Sequence, residues 1–165
     1  MAHLGRADLI PSMIRIVIAE DDPGLCELFR EQLSLVPGFE VIGEAHSGRE
    51  AIAIVGRLNP DILTLGIDLP GIGGMEVLPV VGWCSPKTKV IVLSDHDEDA
   101  TILEALELGA KGYIVKGDGT NLEKAIRAVQ RGEVWARRRV TTRVLDQLIG
   151  LARRTFQEAG GEPAP

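Results

Sequence analysis

Two hydrophobic periods alternate along this chain, and their alternation predicts a doubly wound α/β fold on a five-stranded parallel sheet. Short β-branched runs occur five times, and a stretch of helical period follows each of them. Strands separated by helices pair in parallel through right-handed crossovers, which sets the class. Size and composition agree. A chain of 165 residues, 45% hydrophobic and 25% charged, suits one globular domain that buries roughly 70% of its unfolded surface without metal or disulfide staples.

The strand-like runs are Ile14 to Ala19, Phe39 to Glu44, Asp61 to Leu65, Lys89 to Leu93 and Gly112 to Val115. Between and after them, apolar residues recur at helical spacing: Leu25, Leu28, Phe29 and Leu33; Ala51, Ile54, Val55 and Leu58; Met75 to Val81; Ile102, Leu103 and Leu106; Leu122, Ala125, Ile126 and Val129. Helix punctuation supports this segmentation. Ser47 with Glu50 reads as a capping box, Asn59-Pro60 as a stop, and Gly109 and Gly132 as left-handed residues just past helix ends. A sixth helix is expected from Val140 to about Arg154, with an apolar stripe through Val144, Leu145, Leu148, Ile149 and Ala152 that seeks a partner, either on the acidic surface of this domain or on another chain.

Charge is unevenly distributed. The net charge is -6, yet residues 131–155 hold seven arginines against Glu133 and Asp146, so the other 140 residues carry -11. Such a body repels nucleic acid, and only the last quarter could attract it. The run Arg137 to Arg139 reads as a solvated face ahead of a DNA or partner contact. No apolar run approaches the ~20 residues of a membrane span and no basic-then-apolar leader is visible, so a cytoplasmic location away from membranes is expected. Cys26 and Cys84 are too few for a structural zinc site and read as buried free thiols.

In an open parallel sheet, ligands bind outside the carboxyl ends of the strands. There the sequence places Glu20, Asp21 and Asp22 after the first strand, Gly66 and Asp68 after the third, Ser94 and Asp95 after the fourth, and Lys116 after the fifth. Carboxylates supply oxygen ligands to a hard cation, and a lysine supplies a point charge for a phosphoryl group. The glycines Gly71, Gly73 and Gly74 lack a following Lys-Ser/Thr and read as an ordinary turn. His46 and His96 have no helically spaced metal-binding partner and read as surface residues, while Trp135 is expected to pack the junction before the sixth helix.

The segments IRIVIAEDDP, NPDILTLGIDLPGIGGMEVL, KVIVLSDHDED and ELGAKGYIVKGD resemble a response-regulator receiver domain over roughly Ile14 to Glu133. The last of them, with NLEKAIRAVQRGEVW, most resembles the NarL/FixJ-like subfamily. The resemblance implies a flavodoxin-like sheet of order 2-1-3-4-5 and the following organisation: an N-terminal extension (1–13), a receiver (14–134), a linker helix (135–157) and a flexible tail (158–165). In that subfamily a LuxR-type helix-turn-helix follows the linker. None lies within these 165 residues, so a truncated chain or a stand-alone receiver is expected, with DNA reached only through that missing domain.

Residue by residue, the resemblance implies that Glu20 and Asp21 are the acidic pair for magnesium. Ser94 is the hydroxyl that contacts the phosphoryl group, Lys116 the family's lysine and Tyr113 the aromatic switch. The phosphoacceptor aspartate falls four residues before Pro70, at Gly66. Glycine offers no oxygen nucleophile and no metal ligand. Asp68 lies two residues on, about 6 to 7 Å along an extended strand, and is the alternative acceptor. Asp95 stands where a small residue commonly gates access. The expectation is an atypical receiver, not an enzyme, that cannot undergo ordinary aspartyl phosphorylation and binds magnesium only weakly. It would switch through a protein partner, homodimerisation or a small ligand, and control an attached or associated DNA-binding domain. Two alternatives stand beside it: an ordinary phosphorelay receiver inactivated by an introduced change at Gly66, and a metal-dependent phosphatase-like enzyme on the acidic rim.

Overall fold

The structure, a computed structural model, describes residues 12–118 and 121–160. Most of the expected N-terminal extension and residues 161–165 of the expected tail lie outside that range. Elements alternate as β1 (Ile14–Ala19), α1 (Pro23–Ser34), β2 (Phe39–Ala45), α2 (Gly48–Leu58), β3 (Ile62–Gly66), α3 (Gly74–Cys84), β4 (Lys89–Ser94), α4 (Asp99–Glu107), β5 (Gly112–Val115), α5 (Leu122–Gln130) and α6 (Arg138–Glu158). The sheet is parallel throughout with order β2-β1-β3-β4-β5.

Side chains alternate across each strand, so one strand feeds two cores. Val17, Leu63, Val92 and Tyr113 face α2, α3 and α4, where they meet Val55, Val77, Val81 and Ile102. Ile16, Ile18, Ile62 and Ile91 face α1 and α5, against Leu33, Ile126 and Val129. The helix ends follow the expected signals. Gly109 and Gly132 have positive φ past α4 and α5, and Asn59 is left-handed at the end of α2. Ser47 accepts from the Glu50 N–H, whereas the Glu50 carboxylate reaches back to the N–H of His46, one residue before the cap.

Two expectations need correction. Only Cys26 is buried, and burial pushes its thiol up to about 11; Cys84 is exposed at the end of α3. The Arg137–Arg139 run is not simply solvated. Arg137 forms a forked pair with Asp118, and Arg139 binds Asp99 at 2.7 Å. Acidic partners far away in sequence, invisible to a local reading, bind these arginines.

Trp135 packs against the α1/α5 core and pairs as a parallel bridge with Gly112, its carbonyl accepting from the Tyr113 N–H. Helix α6 is longer than expected and divides in two. Its first turns are docked, with Val140 1% exposed in the larger core and Arg139 and Arg143 on Asp99. From Leu145 onward its residues are exposed, apart from Gly150. Val140→Ala should therefore cost about 2 kcal/mol through lost burial and a residual cavity. Leu148→Ala should stay within about 0.5 kcal/mol. Urea unfolding midpoints of the two variants check the contrast.

Candidate functional site at the carboxyl rim of the sheet

Strand register assembles the site. Ala19 lies opposite Leu65, Gly66 opposite Leu93, and Ser94 opposite Val115. Each strand then releases its next residue at the same edge, which brings Glu20, Gly66, Ser94 and Lys116 side by side. With Asp21, Asp22, Asp68 and Asp95 they line an open cleft of about 430 Å³.

The carboxylates do different things. Asp22 caps α1, its Oδ1 accepting from the N–H groups of Gly24 (2.9 Å) and Leu25 (3.2 Å), so it is committed to the helix. Glu20 is buried, and its Oε2 lies 3.6 Å from Lys116 Nζ. A Cβ built on Gly66 would sit 3.1 Å from that same oxygen. The Glu20 carboxylate therefore leans over Gly66, into space that a side chain there would claim. Asp68 and Asp95 are exposed.

Ser94 is buried and its Oγ accepts from the His96 N–H at 3.0 Å. Tyr113 is turned inward, and its hydroxyl donates to the His96 carbonyl at 2.8 Å. Burial raises the Tyr113 phenol above its usual value. His96 is exposed, as expected, but not idle: its Nε2 lies 3.2 Å from Asp68, which ties the loop after β4 to the loop after β3. His46 is also exposed, with Nδ1 3.0 Å from the Glu20 carbonyl. Neither contact could be read from sequence, because both join segments with no local relation.

Burial raises the Glu20 carboxyl above its ordinary value, with Lys116 opposing and Asp21 reinforcing the shift. The folded protein thus holds this proton more tightly than the unfolded chain does. By linkage, the protonated carboxyl favours the folded state at low pH, and that advantage is lost as pH rises from the ordinary value near 4.5 through the raised folded value. Glu20→Gln removes the titration. Its stability relative to the parent should grow as pH rises through that window, and denaturation midpoints measured at a series of pH values should diverge accordingly. Parallel curves would contradict the assignment.

Magnesium, which the resemblance implies, does not match this donor set. Mg²⁺ asks for near-octahedral oxygen ligands including one or two well-placed carboxylates. Here Glu20 is turned to Lys116, Asp22 caps a helix, and Gly66 contributes no side chain. Among the described residues no group of three His, Cys, Asp or Glu side chains is arranged to hold a metal. No helix among them is long and apolar enough to cross a membrane.

The family profile of the response regulator receiver domain matches residues 16–127. The chain belongs to that family. The receiver is also similar to the transcriptional regulatory protein DegU of Brevibacillus brevis, at 31% identity over 88% of this chain and 62% of that protein. Among solved structures, a LuxR-family two-component response regulator from Aurantimonas sp. SI85-9A1 aligns with a TM-score of 0.74 and 28% identity, covering 84% of this chain and 99% of that one. The signal receiver domain of the response regulator NarL from Mycobacterium tuberculosis aligns with a TM-score of 0.70 and 34% identity, covering 74% and 100%. The chain spans 62 to 69% of the length of the first three curated regulators it matches. It is a receiver domain of the two-component, LuxR-type class, with the flavodoxin-like strand order that the resemblance implied.

Proposed function

We propose that this receiver works in transcription control without ordinary aspartyl phosphorylation. The observation that carries the reading is Gly66, at the end of β3 and in the lining of the cleft, with the Glu20 carboxylate leaning over it and Lys116 paired to Glu20. In-line attack on phosphorus needs a carboxylate oxygen at that point, with a cation to neutralise the transferring group. Gly66 supplies no oxygen, and the Glu20–Lys116 pair neutralises the charges that would have met one. Asp68 points into solvent and faces His96. The module is accordingly a conformational one rather than an enzyme, acting in the cytoplasm.

A conformational equilibrium moves only when something binds its two states unequally. The inputs open to this protein are a protein partner, self-association through helical faces, or a small ligand in the cleft. The output is control of an attached or associated LuxR-type DNA-binding domain, a reading supported by the transcriptional regulators it resembles. DNA contact belongs to that domain and not to the acidic receiver body.

The direct test is exposure to acetyl phosphate with magnesium, read by intact mass. The expected result is no phosphorylated species, and a label mapped to Asp68 or Asp21 would overturn the reading. Magnesium itself should bind only weakly, because Lys116 competes for Glu20 and leaves Asp21 as the uncommitted carboxylate of the acidic pair. Titration calorimetry should give no saturable heat where receivers with a complete acidic site saturate.

A further inference from the structure

The exposed half of α6 carries an apolar seam that the receiver borders only at its first residue, Leu145. Leu145, Ile149, Ala152 and Phe156 follow one another at spacings of four, three and four along one side of the helix. Leu145 is 57%, Ile149 42% and Phe156 69% exposed. Val140 is buried in the receiver, and Val144 lines, together with Leu148 and the first seam residue Leu145, the groove that α6 makes with Leu106, Ala110 and Val134. At 100° per residue, Asp146 and Arg153 fall together on one flank of the seam, with Leu148 and Thr155 on the other. Among the described residues neither Asp146 nor Arg153 has an ion-pair partner within the chain, whereas Arg137, Arg139 and Arg143 all do.

We propose that this seam binds a second copy of the chain, with the two α6 helices antiparallel. The two-fold axis then crosses between Gly150 and Leu151. About that axis Leu145 meets the partner's Phe156, and Ile149 meets the partner's Ala152, so each large residue faces one of different size. Asp146 meets the partner's Arg153, and symmetry repeats the pair, as an isologous interface requires. A parallel pairing would place Asp146 against Thr141 and Arg153 against Leu148, leaving both charges unmatched. It would also hold two bodies of charge -11 side by side, whereas the antiparallel arrangement sets them at opposite ends. The seam spans about 16 Å of helix, so the dimer is concentration-dependent rather than obligate. This proposal specifies the self-association input named above and is independent of the acceptor assignment at Gly66.

Sedimentation velocity of the full chain over a range of concentrations tests it. The parent should pass from monomer to dimer, and Ile149→Asp should remain monomeric with an unchanged thermal melt. Asp146→Arg and Arg153→Asp should each weaken self-association on the order of tenfold by placing like charges opposite one another. Mixed one to one, these two variants should dimerise again, because each supplies the charge the other lacks. That rescue is specific to the antiparallel register. A parent that stays monomeric throughout, an Ile149→Asp variant that still dimerises, or a mixture no better than its components would overturn the proposal. Any of these would leave the acetyl phosphate result unaffected.

Discussion

Gly66→Asp is expected to take a phosphoryl group from acetyl phosphate, and to bind a beryllium fluoride mimic, under conditions that leave the parent unlabelled. The same substitution should lower the stability of the metal-free protein. A Cβ at position 66 meets Glu20 Oε2 at 3.1 Å and the Ala19 carbonyl at an ordinary 3.5 Å, so the Glu20 carboxylate must give by a few tenths of an ångström. A new carboxylate about 4 Å from Glu20 repels it by roughly 4 kcal/mol at an effective dielectric near 20, before Lys116 and water offset part of that. Replacing a strand glycine returns only ~0.5 to 1 kcal/mol of backbone entropy. Repulsion wins, and the variant should melt below the parent. Added magnesium reverses the order of gain, because a cation that binds only the folded cluster stabilises it by mass action. The parent should respond little. A folded variant that stays unlabelled would locate the remaining obstruction at Asp95 or in the Ser94–His96 hydrogen bond.

The second large effect lies in α2, where two glycines should respond to alanine with opposite signs. Gly48 opens the helix against the loop before α3, and a Cβ there would overlap the Ile72 carbonyl oxygen and come within 2.8 Å of its carbon. The obstacle is backbone and cannot rotate aside, so Gly48→Ala should cost about 3 kcal/mol as α2 is forced away from α3. Gly56 sits two turns later on the exposed side, with Cys84 Sγ at 3.9 Å as the nearest atom to a built Cβ. Gly56→Ala should stabilise by about 0.5 to 1 kcal/mol through helix propensity. Urea denaturation resolves a gap of this size, and equal effects at the two positions would show that the α2–α3 approach is not close.

Elements whose signal is local were legible in the sequence. The run IRIVIA is a strand from its first residue to its last, GYIV likewise, and the turn glycines Gly109 and Gly132 have the positive φ their positions suggested. The rim residues were also legible, because strand ends in a parallel sheet converge whatever their identity. What could not be read were contacts that depend on register between distant segments. Glu20 over Gly66, His96 on Asp68 and Arg137 on Asp118 each join segments that share no pattern. Hydrophobic period alone ended α6 near Arg154, short of its observed end at Glu158, while the resemblance, with a linker helix over 135–157, came within one residue of it.

The root of α6 is fastened to the loop that borders the cleft. Arg137 holds Asp118 and reaches the Asp97 carbonyl, and Arg139 holds Asp99, in the segment that begins at Ser94 and carries His96. From that root the helix extends 21 residues, or about 30 Å. It is a lever with its fulcrum at Asp99 and Asp118, a short arm in the rim loop and a long arm in solvent. A tilt of about 10° at the fulcrum carries the far end through about 5 Å, for an arm of that length. Angular displacements too small to disturb the packing of the sheet therefore arrive at the tip as translations on the scale of a side chain. The amplification depends on five charged residues, Arg137, Arg139, Arg143, Asp99 and Asp118, and added salt should slacken the pivot before it loosens the fold.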